Sequence, residues 1–280
     1  MGRSASFTLL LAAHDALHAS FGYRCFIDLR WNKSVRQALH CNLSDATPAD
    51  TLQTQGFVLL SPAVTFGLAG CDAAQFAQLS DSWNDLPSDP HLRDGGHYRF
   101  RRHASLRLDQ TATRVAERIE RPHWQPVDYN ALHGGFERWF APITDATMAQ
   151  SALLGLITGL GRWFANSAGH ALPFVEAHQF RIDTAAGIGR PTPEGAHRDG
   201  VDFVAVLLIN RIDVRGGETR VFQADGPAGI RFTMTEPGSA LLLDDARVIH
   251  ETTPLQPAGS TGHRDTLVLT YRRDGFLDPS

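Results

Sequence analysis

From Phe174 onward the chain is a succession of short extended runs: "FVEAHQFRID", "DFVAVLLIN", "ETRVFQ", "IRFTMT", "SALLLDD", "RVIHET" and "DTLVLTYRR". Turn-forming residues separate them, namely Gly187, Gly189, Pro191, Pro193, Gly216-Gly217, Gly226-Pro227, Pro237-Gly238 and Pro254. Apolar runs this short, broken so regularly by Gly and Pro, point to an all-β barrel or jelly roll. The expected fold class is therefore mainly β with flanking helices, with a jelly-roll, cupin-like core over about residues 174–273.

The helices are expected upstream. In "DAAQFAQLSDSWNDL" the residues Phe76, Leu79 and Trp83 recur at helical spacing, and across Thr144–Ser167 so do Leu153, Leu154, Ile157, Leu160, Trp163 and Phe164. Gly155, Gly159 and Gly161 weaken the second helix unless they let a sheet approach closely. "GGHYRFRRHASLRLD" reads as a strand with Tyr98 and Phe100 on one face and Arg99 and Arg101 on the other, a face expected to meet water. Residues 1–55 read as an N-terminal extension packed on the core, with a helix candidate at Phe7–Ser20 and a turn-rich stretch at Asn42–Asp50. Residues 56–280 read as one domain.

Bulk properties remove several function classes. A formal charge of −4 and a pI near 6.3 lack the basic surface that sequence-independent nucleic-acid binding requires. Cys25, Cys41 and Cys71 have no C-x-x-C spacing, which argues against a zinc ribbon, a dithiol redox motif or a secreted disulfide scaffold and favours a cytoplasmic location. The apolar run Phe7–Ala13 is cut short by His14-Asp15, and no segment reaches the roughly 20 apolar residues of a membrane span. Lys33 is the one lysine, which makes Schiff-base chemistry a poor expectation.

The tripeptide His-Arg-Asp occurs twice, at 197–199 and 263–265. A kinase catalytic loop is excluded: Asp199 is followed by "GVDFV" without the required Asn, and there is no DFG triplet. In an extended segment, however, His197 and Asp199 project to the same face and can reach one ion. His250, in "DDARVIHET", is the candidate third ligand. Two imidazoles and a carboxylate leave three adjacent positions open on an octahedral ion, as Fe(II) oxygenases need, although catalytic zinc uses a similar set. The second copy plays a different part. Arg264 and Thr266 share a strand face and offer a guanidinium fork and a hydroxyl to the distal carboxylate of 2-oxoglutarate.

"PTPEGAHRDGVDFV", "GGETRVF", "PGSALLLDDARVIHETTP" and "RDTLVLTY", preceded by "HQFRID" and "DGGHYRFRRH", resemble the Fe(II)/2-oxoglutarate dioxygenases related to bacterial L-isoleucine dioxygenase. The resemblance spans roughly residues 56–273. It implies a double-stranded β-helix, iron held by His197, Asp199 and His250, 2-oxoglutarate anchored by Arg264, and dioxygen as the second cosubstrate. It also implies hydroxylation of a small free L-amino acid or derivative, with release of succinate and CO2. Thr266 departs from the Arg-x-Ser pattern of the wider superfamily, and the retained carboxylate of Asp199 argues against the related halogenases. Desaturation or cyclisation by the same iron chemistry is an alternative outcome, and a non-catalytic cupin-like metabolite-binding protein an alternative of another class.

Other residues carry weaker expectations. Gln179 and Arg181 alternate with His178 and Phe180 beside the metal strand, so one face contributes to the cosubstrate or substrate pocket, Gln179 toward the cosubstrate and Arg181 toward the substrate. Arg99, Arg101 and Arg102 are candidates for a substrate's carboxylate, with a solvated strand face as the alternative, and Glu218 is a candidate for its ammonium, with a turn cap as the alternative. Asp244-Asp245 is expected to shape the turn into the His250 strand. His91, His97, His103, His123, His133 and His170 lack ligand spacing to one another and receive no role. The expected partner is a small molecule, neither nucleic acid nor membrane, and a homodimer is compatible with the sequence.

Overall fold

The computed structural model describes residues 27–30 and 47–279. The helix expected at Phe7–Ser20 lies outside the described residues, as do residues 42–46 of the turn-rich stretch. The strands are β1 (Ile27–Arg30), β2 (Phe57–Leu60), β3 (Arg99–Leu108), β4 (Val115–Ile119), β5 (Phe174–Asp183), β6 (Phe203–Ile212) and β7 (Val214–Gly216). They continue as β8 (Thr219–Gln223), β9 (Gly229–Thr233), β10 (Ala240–Asp244), β11 (Val248–Thr252), β12 (Leu255–Pro257) and β13 (His263–Arg272). The helices are α1 (Pro48–Gln55), α2 (Pro62–Ala69), α3 (Ala73–Ser80), α4 (Asp145–Met148) and α5 (Ser151–Ala168).

A large antiparallel sheet runs in the order β2-β10-β6-β13-β5-β3-β4, and a small one in the order β1-β9-β8-β11. Apolar side chains of the two sheets meet: Val204, Leu208, Leu241 and Leu243 from the large sheet pack with Val221, Phe232 and Val248 from the small one. This is the mainly β, jelly-roll architecture expected. Residues of the N-terminal region belong to it, because β1 pairs in parallel with β9 and Leu52 of α1 enters the main core.

The other face of the large sheet is covered by helices. Ala205, Leu207, Leu267, Leu269 and Tyr271 pack with Leu153, Leu156, Ile157, Leu160 and Phe164 of α5, each large side chain contributing about 1.5–3 kcal/mol on full burial. Phe76, Leu79 and Trp83 join the same core, and the Trp83 indole N–H donates to the carbonyls of Phe180 and Thr266 at 3.1 and 3.3 Å. The Thr266 carbonyl is near the place where the β13–β6 register slips by one residue. Such a slip disrupts the ladder locally, and a side-chain donor offsets the loss.

The segment expected as one helix over Thr144–Ser167 is two, α4 and α5. Two glycines of α5 admit a helix, since a Cβ at Gly155 or Gly159 would collide with the carbonyl oxygens of Ala69 and Leu68 at the end of α2, whereas Gly161 admits the sheet, a Cβ there meeting Leu108 of β3 and Tyr271 of β13 at 2.9 and 3.0 Å. Gly159→Ala should therefore destabilise the chain by about 1–3 kcal/mol through overpacking, despite the ~1 kcal/mol advantage of alanine inside a helix. Urea denaturation measures the difference, and equal or greater stability would mean that the two helices can separate freely.

Candidate functional site

The inner face of the large sheet is a grid set by strand register. Arg264 of β13 pairs with Ile182 of β5, which pairs with Arg99 of β3; one step along, Thr266, Phe180 and Arg101 are aligned; next come Val268, His178 and His103. Arg264, Ile182, Arg99, Thr266, Phe180 and Arg101 all line one cavity. Alternation therefore settles which face points in, and Gln179 and Arg181 point the other way. Gln179 donates to the Ser82 hydroxyl at 2.9 Å, and Arg181 makes a two-pronged pair with Asp265, 2.8 Å on each side. Both are thus corrected from pocket residues to structural ones.

His197 and Asp199 lie in the connection between β5 and β6, and His250 lies on β11. His197 and His250 exchange both backbone hydrogen bonds, at 3.0 and 2.9 Å, so they stand directly opposite one another as an antiparallel pair. Their rings are consequently neighbours, 4.6 Å apart between centroids. Two residues on, Asp199 projects to the same side: its oxygens are 3.9 Å from His197 Nε2 and 3.8 Å from His250 Nε2. The three potential ligand atoms lie within 4.8 Å of one another.

Asp245 holds this segment in shape. Its carboxylate accepts the backbone N–H groups of Asp199, Gly200 and Val201 at 3.0, 2.8 and 3.1 Å. It thereby shapes the turn after Asp199 as well, while Asp244-Asp245 stands in the turn into the His250 strand, where the Arg247 N–H donates to the Asp244 carbonyl at 3.0 Å. Gly200 takes φ +79° there, and a Cβ would run into the Tyr129 ring. Burial, then the nearby charge of Asp199, raises Asp245 to about 7.

The donor set fits a divalent metal. His197 Nδ1 faces the Gly195 carbonyl at 3.0 Å, which places the proton there and leaves Nε2 as a ligand. Burial opposes protonation of both rings; for His197 the carboxylates of Asp199 and Glu194 outweigh it, whereas His250, beside His197, is held well below the usual imidazole range. Gln125 donates to Asp199 Oδ1 at 3.2 Å and orients it.

Arg264 is buried, and its Nε and Nη2 have no hydrogen-bond partner within the protein. Burial, then Arg211, lowers its pKa to about 10, so it remains a cation at neutral pH. Two other expected pocket residues are elsewhere. Arg102, on the outward face of β3, donates to the Pro142 and Asp85 carbonyls, and Glu218 is paired with Arg220 at 2.9 Å; neither lines the cavity. The two arginines expected in water, Arg99 and Arg101, are inside and share buried Asp89, at 2.7 and 3.8 Å; Arg138, also inside, donates to Gln125 at 2.8 Å. Sequence reasoning missed Arg138, Gln125 and Glu194, and for Arg99 and Arg101 it set a solvated strand face ahead of the substrate-carboxylate role. The available signal was the clean alternation of β3, whose inside and outside were exchanged because a polar barrel interior inverts the usual rule that arginine faces solvent.

Asp245→Ala strands three backbone donors and should cost about 1–3 kcal/mol of stability. Because the same contacts orient Asp199, Co(II) titration should also show affinity falling about 10- to 100-fold. An unchanged affinity would mean that the ligand segment holds its shape without the clamp.

The 2OG-Fe dioxygenase family model matches residues 80–270. Among solved structures, a bsmA homolog (Mpe_A2762) from Methylobium petroleophilum PM1 is 51% identical with a TM-score of 0.77, over 83% of this chain and 94% of that one. IDO from Bacillus thuringiensis shares the fold at 18% identity and TM-score 0.61, over 81% and 95% of the two chains. The Fe(II)/(alpha)ketoglutarate-dependent dioxygenase TqaL does so at 18% and 0.62, over 87% and 91%. No curated protein matches. With a family match across the whole barrel and a His/Asp/His set at its mouth, the chain belongs to the 2OG-Fe dioxygenase family, whose cofactors are Fe(II), 2-oxoglutarate and O2.

Proposed function

We propose that this dioxygenase hydroxylates a C–H bond of a small free L-amino acid or close derivative, as the enzymes related to isoleucine dioxygenase do. In the balanced reaction, substrate, O2 and 2-oxoglutarate give hydroxylated substrate, succinate and CO2. Dioxygen takes four electrons, two from the oxidative decarboxylation and two from the substrate carbon. Iron held by His197, Asp199 and His250 supplies the activation of dioxygen when bound.

The residues of the chain divide the remaining work. Arg264, with two unpartnered donor atoms and Thr266 beside it, takes the distal carboxylate of 2-oxoglutarate. The observation that carries the amino-acid reading is a second, separate set of unsatisfied groups on the same cavity. Arg99 Nη2, Arg101 Nε and Arg138 Nε are buried donors without partners, and Glu194 Oε2 is a buried acceptor without one. Buried polar groups without partners cost free energy until a ligand satisfies them. Donors and acceptor together suit a carboxylate and an ammonium on one small molecule. Arg99 stands two strands from Arg264, roughly 10 Å at the usual strand spacing, which separates the two carboxylate positions.

The test is a succinate-release screen over free amino acids with Fe(II) and 2-oxoglutarate, followed by mass analysis for the gain of one oxygen. Product carrying an added hydroxyl is the expected result; amino-acid-independent turnover alone would reject the substrate class. The two anchors should then separate kinetically. Arg264→Leu should raise the KM for 2-oxoglutarate by about 10-fold or more, whereas Arg138→Leu should raise the KM of the amino acid and spare that of 2-oxoglutarate. Equal effects of both variants on both constants would show that the clamps are not distinct.

A further inference from the structure

Beyond the iron set, four side chains converge on the next rows of the grid. His178 and His103 are cross-strand partners on β5 and β3, and Glu176 lies two residues before His178 on the same inward face. The spacing is Glu-x-His on one strand, the reverse of the His-x-Asp order in the iron set. His123 arrives from the connection after β4, where it exchanges both backbone hydrogen bonds with Arg138 at 3.0 and 2.9 Å. All four residues are buried, and their potential ligand atoms lie within 4.8 Å of one another.

We infer that His103, His123 and Glu176, with His178 as a fourth ligand, form a second site for a divalent cation of the zinc class. The distances fit such an ion. His103 Nε2 is 3.1 Å from Glu176 Oε1, and His123 Nδ1 is 3.1 Å from Oε2. Adjacent ligands on bonds of about 2.0–2.2 Å stand roughly 3.0–3.5 Å apart, so little movement is needed to admit a metal. The corresponding separations in the iron set, 3.8 and 3.9 Å, are wider. The rings are packed as a trio, with centroids 4.7 Å apart for His103–His178, 4.8 Å for His123–His178 and 5.6 Å for His103–His123.

The protonation states suit ligation. Burial lowers His103, brings His123 to about 4 and holds His178 well below the usual range, so each ring keeps a lone pair at neutral pH. Burial by itself would raise Glu176, but the facing His123 and His103 hold it well below the usual carboxylate range, so it is ionised. Guanidiniums decide which cation. Arg121 Nη1 is 3.2 Å from Glu176 Oε1, and Arg101 Nη2 is 2.6 Å from His178 Nδ1. They repel any cation held by charge alone, as Mg2+ and Ca2+ are, and leave ions whose affinity comes from imidazole nitrogen. Arg101 also occupies one nitrogen of His178, so this ring ligates through the other or after turning. Because Glu176, His178 and His123 line the same cavity as the iron set, the ion would be reached from the substrate side.

Native mass spectrometry of the chelator-stripped full chain, titrated with Zn2+ alone, tests the site. Wild type should take up two ions, Asp199→Ala one, and His123→Gln one, with the second ion's affinity falling at least 10-fold in His123→Gln. Since a substitution so deeply buried can impair folding, zinc anomalous scattering from crystals of the unchanged chain provides an independent measurement, and a peak among His103, His123 and Glu176 is expected. A single ion per chain bound at His197, Asp199 and His250, or a second ion that persists in His123→Gln, would overturn the assignment and leave the cluster a hydrogen-bonded core network. Neither measurement depends on turnover, so either result leaves the hydroxylase reading standing.

Discussion

Two backbone hydrogen bonds, between residues 197 and 250, bring the iron ligands together. They join a loop to the edge of the small sheet, and in doing so they place two imidazoles side by side and a carboxylate two residues along on the same face. Register does the work: an antiparallel pair puts opposite residues on one side of the sheet, and a slip of one residue would turn His197 and Asp199 away from His250, which β8 holds in place. That is why the Asp245 carboxylate, holding three successive amides just beyond Asp199, matters out of proportion to its size. It fixes where the extended segment stops.

What was legible in the sequence follows from the same geometry. His197, Asp199 and His250 could be recognised because the period of a strand is fixed at two and a jelly roll returns distant strands to one another. Short runs punctuated by Gly and Pro were enough for the mainly β class, and helical spacing was enough for α3 with Phe76 and Leu79, which ends at Ser80 so that Trp83 falls in the turn after it. Less legible was which face of a strand points inward. For β3 and β5 the alternation was plain, but both faces carry polar residues and both are largely buried, so hydrophobicity could not choose between them. Arg99 and Arg101 turned inward and Gln179 and Arg181 outward for a reason that appears only in three dimensions: Asp89, Asp265 and Ser82 supply the partners. The cluster of His103, His123, Glu176 and His178 was hidden likewise, since cross-strand pairing rather than chain spacing assembles it.

The interior therefore behaves less like a core than like a lined vessel. The large sheet separates two environments: toward the helices it presents Ala205, Leu207, Leu267, Leu269 and Tyr271, and toward the cavity a grid of arginine, histidine and carboxylate. Isolated buried charges would be prohibitive, yet here most have a partner within hydrogen-bond reach, Asp89 for Arg99 and Glu176 for Arg121 among them. The exceptions that bear on a ligand are the ones on the cavity wall. Donors of Arg264, Arg99, Arg101 and Arg138 and an acceptor of Glu194 stay unmatched, and all of these residues face the cavity.

Stability and function draw on the same groups in opposite directions. A satisfied group such as the Asp245 carboxylate, with its three backbone amides, adds rigidity to the wall, while an unsatisfied one such as Arg264 holds binding energy in reserve for a ligand that arrives. Replacing Arg264, which has no carboxylate partner within salt-bridge distance, by an apolar residue of similar volume would be expected to raise stability, since it removes desolvated charge. It would also remove the means of orienting the cosubstrate's distal carboxylate. The helix-covered outer face is what makes that tension tolerable: its apolar packing supplies the stability that the polar inner face consumes, and the seven-stranded sheet couples the two through every residue pair of its ladder.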